Sequence, residues 1–197
     1  MVKQERAART RQALIRAGAE VFAEEGFARA SLTTISRQAG VSNGALHFHF
    51  ENKQALTQAI VAQALEVVRQ IVRDAGARDG GPLEELVQAT HQLMSRIGDD
   101  AVVRAGFELS DGPGGGEGPV LRREWQRWVE DVLLRAGEDG WLAEEVSADD
   151  AATAVVAATI GFEVLSGTDK TWLSEEKVTR FWDLLLPRLT GRGPRSS

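Results

Sequence analysis

Apolar residues recur along this chain at three- and four-residue intervals, and no stretch alternates apolar and polar at period two, so the pattern predicts helices and no strands. Over residues 10–25, Leu14, Ala17, Val21 and Phe22 share one face, Arg11, Arg16, Glu20 and Glu24 occupy the others, and Gly26 supplies the stop. Ser31 is placed to cap a second helix, 32–39, which Gly40 ends. Val41 is then expected to be buried in a tight turn, and Ser42 to cap a third helix, 43–50. A much longer periodic segment starts at Lys53, with Leu56, Ile60, Leu65, Val68, Ile71 and Val72 on its apolar side, and runs to the glycine-rich break at 76–81. Further helices are predicted over 82–97, 99–109, 119–136, 147–166 and 174–186, giving an all-α fold.

The segment DGPGGGEG at 111–118 is the one low-complexity stretch inside this pattern. It lacks the Lys-Ser/Thr of a phosphate-binding loop and follows a helix instead of a strand, so it reads as an inter-helix loop. The tail 191–197 is expected to be disordered.

Composition narrows the chemistry. The 197 residues include no cysteine, which excludes disulfides, thiolate zinc sites, iron–sulfur clusters and a cysteine nucleophile. No apolar run approaches the roughly 20 residues of a membrane helix, and no apolar segment with a cleavage site follows the basic N-terminus, so a cytoplasmic protein that does not engage a membrane is expected. Charge is unevenly spread. Eight basic residues face five acidic ones up to Leu56, a net +3, against −9 for the remainder of a chain whose formal total is −6. That division suggests a small module that meets a polyanion joined to a larger acidic module with another task, although a solvated basic tail would look the same.

The stretch SLTTISRQAGVSNGALHFHFENK, Ser31 to Lys53, has the helix-turn-helix plan. Ile35, Ala39, Val41 and Leu46 supply apolar contacts between two short helices. Thr33, Arg37, Ser42, Asn43, His47 and His49 are left facing outward, and Gly44 and Ala45 are small enough to let the second helix sit deep in a major groove. Phe48 and Phe50 are expected to anchor the small core. His47 and His49, at i and i+2, point about 200° apart on a helix and cannot chelate one metal ion together. No metal site and no cofactor is expected.

At these residues the chain resembles the TetR family of transcriptional regulators. The match to its T-x-x-I-A-x-x-A-G-V-S-x-G-x-L-Y-x-H-F-x-x-K-x-x-L pattern runs through Ile35, Ala39, Gly40, Val41, Ser42, Gly44, Leu46, His49, Phe50, Lys53 and Leu56, after an A-x-x-x-F-x-x-x-G-F pattern over Gly18 to Phe27. His47 departs from the family's usual Tyr. The resemblance implies a DNA-binding domain at 1–52 with a basic arm at 1–9, and a ligand-binding, dimerising domain at 53–190. Asn43 and Gly44 become base readers, and Asn can pair bidentately with adenine. Thr33, Ser42, His47, His49 and Lys53 become phosphate or base-edge contacts, with Arg6, Arg9 and Arg11 reaching adjacent phosphates or a minor groove.

All five tryptophans follow residue 120. Trp125 and Trp128 are three apart on one helix and could wall an apolar cavity. The segment Val103 to Leu109, which contains Phe107, and the later Arg123-Glu124-Trp125 resemble the γ-butyrolactone receptor branch of the family, as does Gly44 to Phe50. That resemblance implies a hydroxylated lactone, furan or butenolide effector with Trp125 as its wall and Gln63 or Thr159 as hydrogen-bond donors. His91, alone among Leu86, Ala89, Leu93 and Met94, reads as a core or pocket-edge residue. The nearly all-round small-apolar helix at 151–161 and the apolar face of Val178, Phe181, Trp182, Leu184, Leu185 and Leu189 suit an ordinary core or a twofold dimer interface. The expected function is a homodimeric repressor released from a palindromic operator by a small molecule. The alternatives are a regulator of efflux or catabolic genes with an unrelated apolar effector, a small all-α enzyme, for which no nucleophile-base motif is present, and an architectural DNA-binding protein, which the acidic larger part argues against.

Overall fold

In the computed structural model, described over residues 2–78, 80–112 and 118–190, the helices are α1 (Val2–Arg29), α2 (Leu32–Gln38), α3 (Asn43–His49), α4 (Lys53–Gly76), α5 (Pro82–Asp99), α6 (Ala101–Ser110), α7 (Val120–Glu138), α8 (Ala148–Ser166) and α9 (Glu175–Leu189), with a 3-10 turn at Lys170–Leu173. The fold is all-α: among the described residues the extended pairing is a single isolated bridge between Leu142 and Thr190. None of these helices is long and apolar enough to cross a membrane. The expected tail at 191–197 and the middle of the glycine-rich loop, 113–117, lie outside the described residues.

Capping residues set most boundaries. Ser31, Ser42, Ser147 and Ser174 each accept a hydrogen bond from a backbone N–H in the first turn of the helix they precede. Asp100 does the same for Val102 and Val103, so α6 starts two residues later than the periodicity predicts. Two other ends differ from expectation. The helical path begins at Val2, so the basic N-terminal arm is helical through its described part, and Gly26 breaks that path with φ 77° and ψ 155° before a last turn. At the other end α9 continues through Pro187 to Leu189, whose side chain is buried and whose carbonyl accepts from Ala143 N at 2.9 Å.

The chain forms two compact units, Met1–Val67 with Asp100–Leu121, and Val68–Asp99 with Arg122–Ser197. The first therefore extends past residue 52 to include the start of α4 and all of α6. The cause is close packing: a Cβ on Gly18 would meet Leu56 Cδ2 at 2.9 Å, and one on Gly106 would overlap the Cβ of Ala64. Leu14, Ile15, Ile35, Leu46, Leu56 and Ile60 are fully buried in this unit. In the second unit α5 packs against α8, α9 and the 3-10 turn, around Leu86, Leu93, Met94, Ile97, Val178 and Trp182.

Candidate functional site

In the first unit α2 and α3 are locked by their turn. Gly40 takes φ 68°, the left-handed conformation that favours glycine, and Val41 N then donates to Ser36 O at 3.0 Å. Val41 itself is only half-buried, because the turn lies at the surface, and Ile35 and Leu46 carry the contact between the helices. A second lock is polar. The buried Ser36 hydroxyl lies 2.7 Å from Asn43 Oδ1 and 3.0 Å from Thr33 O, sharing its one proton between the two acceptors, while Asn43 Nδ2 points at Thr33 Oγ1 at 3.4 Å. Asn43, expected as a base reader, is exposed and is tied to α2 by these hydrogen bonds. Ser36 was missed by the sequence reasoning because a serine in mid-helix usually bonds only its own turn.

Lys53 is engaged as well. Its ammonium donates to the carbonyls of Phe27 at 2.5 Å, Ala30 at 3.0 Å and Ala28 at 3.3 Å, and lies 4.5 Å from the centre of the Phe27 ring. Three donors are matched to three acceptors at the end of α1, so the side chain closes that helix. Thr33, Arg37, Ser42, Gly44 and His47 are exposed, and Ala45 and His49 are half-buried. Arg6, Arg9 and Arg11 stand on helix α1, not on an extended arm, and the Arg11 guanidinium lies 5.3 Å from the centre of the Phe50 ring. The two phenylalanines expected in the core part company. Phe50 is buried, because it leaves the helix in an extended conformation that turns it inward, whereas Phe48 is 81% exposed.

In the second unit Trp125 is buried and its indole N–H donates to Thr159 Oγ1 at 2.9 Å, while the Trp128 ring lies 4.9 Å from that of Trp125. Thr159 passes its own proton to Val155 O at 2.9 Å. One turn away on each helix, Arg122 grips the carboxylate of Glu163 at 2.8 and 3.1 Å, with only 17% and 8% of the two side chains exposed. Four polar groups therefore join α7 to α8, and the ion pair gave no sign in the sequence, since its members are 41 residues apart. His91 lines a separate cleft of about 960 Å³ between α5, the 3-10 turn and the start of α9, which none of Trp125, Trp128 and Thr159 lines. Gln63, half-buried, and Phe107, buried, belong to the first unit.

A short capped helix pair with an exposed second helix, inside an all-α chain, defines a helix-turn-helix regulator. Comparison with known proteins agrees. Residues 14–60 match the profile described as bacterial regulatory proteins, tetR family. The chain is 30% identical over 199 aligned residues to the A-factor receptor protein of Streptomyces griseus, spanning 98% of this chain and 68% of that one. It is 32% identical over 182 residues to the HTH-type transcriptional repressor BepR of Brucella suis, spanning 87% and 84%. Among solved structures, a gamma-butyrolactone receptor described as ArpA-like superposes with a TM-score of 0.80 at 26% identity, covering 94% of this chain and 90% of the other. CprB from Streptomyces coelicolor, in complex with its biological operator sequence, gives 0.78 at 26% identity over the same shares. The chain belongs to the TetR family of transcriptional regulators, and these relatives are regulators, not enzymes.

Proposed function

We propose that this chain is a cytoplasmic repressor that binds a palindromic DNA site as a homodimer and is released from it by a hydroxylated lactone, furan or butenolide. The observation that carries the reading is the similarity to the A-factor receptor protein across 98% of the chain, together with a helix-turn-helix whose second helix is solvent-exposed. Residues 1–52 supply the DNA contacts, and 53–190 the effector site and the dimer interface. The indole N–H of Trp125 offers an apolar wall with one hydrogen-bond donor, and an effector hydroxyl or carbonyl can take the place of Thr159 at 2.9 Å. Val164 and Leu165 on α8 and Leu184 on α9 are large apolar residues 55%, 42% and 74% exposed, the kind of surface that a twofold copy would cover. Helix α4 contributes residues to both compact units, so a shift along it changes how α3 is presented. The test is fluorescence anisotropy of the operator duplex during titration with a hydroxylated γ-butyrolactone. Loss of operator affinity supports release, and equal affinity at saturating lactone overturns it.

A further inference from the structure

We propose that Phe48 reads the C5-methyl group of a thymine in the major groove, and that it, not Asn43, is the central base-reading side chain of α3. The inference rests on the DNA-binding reading above and adds the group that discriminates between bases. Successive residues of a helix are turned by about 100°, so a residue two positions from the buried Leu46, on either side, points about 160° away from it. Those residues are Gly44 and Phe48, and they mark the middle of the outward face. Asn43 falls only about 60° from Leu46 by the same count, which agrees with its hydrogen bonds to Ser36 and Thr33 on α2. His47 lies between the two, on the flank.

The chemistry of Phe48 restricts what it can meet. Phe48 is 81% exposed, the most exposed large apolar residue among the described residues, and it has no donor to offer a phosphate. The His49 imidazole stands edge-on to it with ring centres 5.2 Å apart, which limits the directions it can take. One turn back, Gly44 leaves open space, since the nearest atom to a Cβ there would be Ser42 Oγ at 3.9 Å. A bare backbone step one turn from an exposed apolar ring leaves room for a methyl group to approach the helix. In the major groove the apolar feature a base pair presents is the thymine methyl, and α3 is short enough, about 10 Å, for its whole outward face to lie within the groove.

The test uses the full chain and the duplex it selects from a random pool, with each half-site thymine replaced in turn by deoxyuridine. That change keeps the base pairing and removes only the methyl. At one position per half-site, binding is expected to weaken about fourfold, and about fifteenfold when both half-sites are changed, the factors for one and two buried carbons. Phe48→Ala should bind the thymine and uracil duplexes alike, Phe48→Leu should keep part of the difference, and neither should alter thermal unfolding. An undiminished preference for thymine in Phe48→Ala, or no preference at any position in the unsubstituted protein, would overturn the proposal. Failure of the unsubstituted protein to select any sequence is a different result, and it would overturn the DNA-binding reading along with this one.

Discussion

Replacing Lys53 by methionine keeps the aliphatic stem against Phe27 and removes only the ammonium that closes the end of α1. Three carbonyl oxygens, of Phe27, Ala28 and Ala30, then lose their shared donor. A hydrogen bond to a charged group contributes about 1.5–3 kcal/mol when well buried. Here the ammonium is half-buried and water can partly replace it, so the sum is discounted to about 2–3 kcal/mol. For a chain of this size that corresponds to a fall of roughly 4–12 °C in Tm. Far-UV circular dichroism is the appropriate signal, because all five tryptophans lie in the second compact unit and none in the one that holds α1, α2 and α3. Operator affinity should be measured over a range of salt at a temperature where the variant is folded. A lysine that contacts phosphate would leave Tm unchanged and lower the slope of log affinity against log salt by about 0.9 for each protomer. The structure predicts the opposite pair, a lower Tm and an unchanged slope, and an unchanged Tm with a reduced slope would refute the reasoning.

The remaining predictions bear on packing and assembly. Arg122→Ala leaves the buried Glu163 carboxylate without its bidentate partner and should cost about 3 kcal/mol in urea unfolding, while the double change Arg122→Met with Glu163→Leu should recover most of it. Gly106→Ala forces a methyl into the Cβ of Ala64, which cannot rotate away, and should cost about 1–3 kcal/mol or more by the same assay. Leu184→Glu puts a charge on the apolar surface of α9 and should shift the sedimentation coefficient from dimer towards monomer while leaving the circular dichroism spectrum unchanged.

Much of the architecture was legible because it is local. The serine caps, the stops at Gly26 and Gly40 and the 3.6-residue period act within one or two turns, so sequence alone placed most helices within a few residues. What was not legible depends on distant partners. Lys53 meets α1 carbonyls 23 to 26 residues away, and Arg122 meets Glu163 across 41. Phe48 is a different case: its spacing from Leu46 already pointed it outward, but its apolar character weighed more than its phase on the helix. Phe50, in turn, reaches the core only because the chain has left the helix at that residue. The expected effector residues divide in a way that no spacing could reveal. Trp125, Trp128 and Thr159 come together, whereas His91 faces its own cleft and Gln63 and Phe107 belong to the other compact unit.

The central claim, that α3 of a paired chain reads successive major grooves, is tested most directly by selecting bound duplexes from a random pool with the purified protein and sequencing them. The account predicts a palindromic winner whose half-sites are separated by about one helical turn or a multiple of it. No enrichment over non-specific binding at low salt, or a winner with a single unpaired half-site, would contradict it.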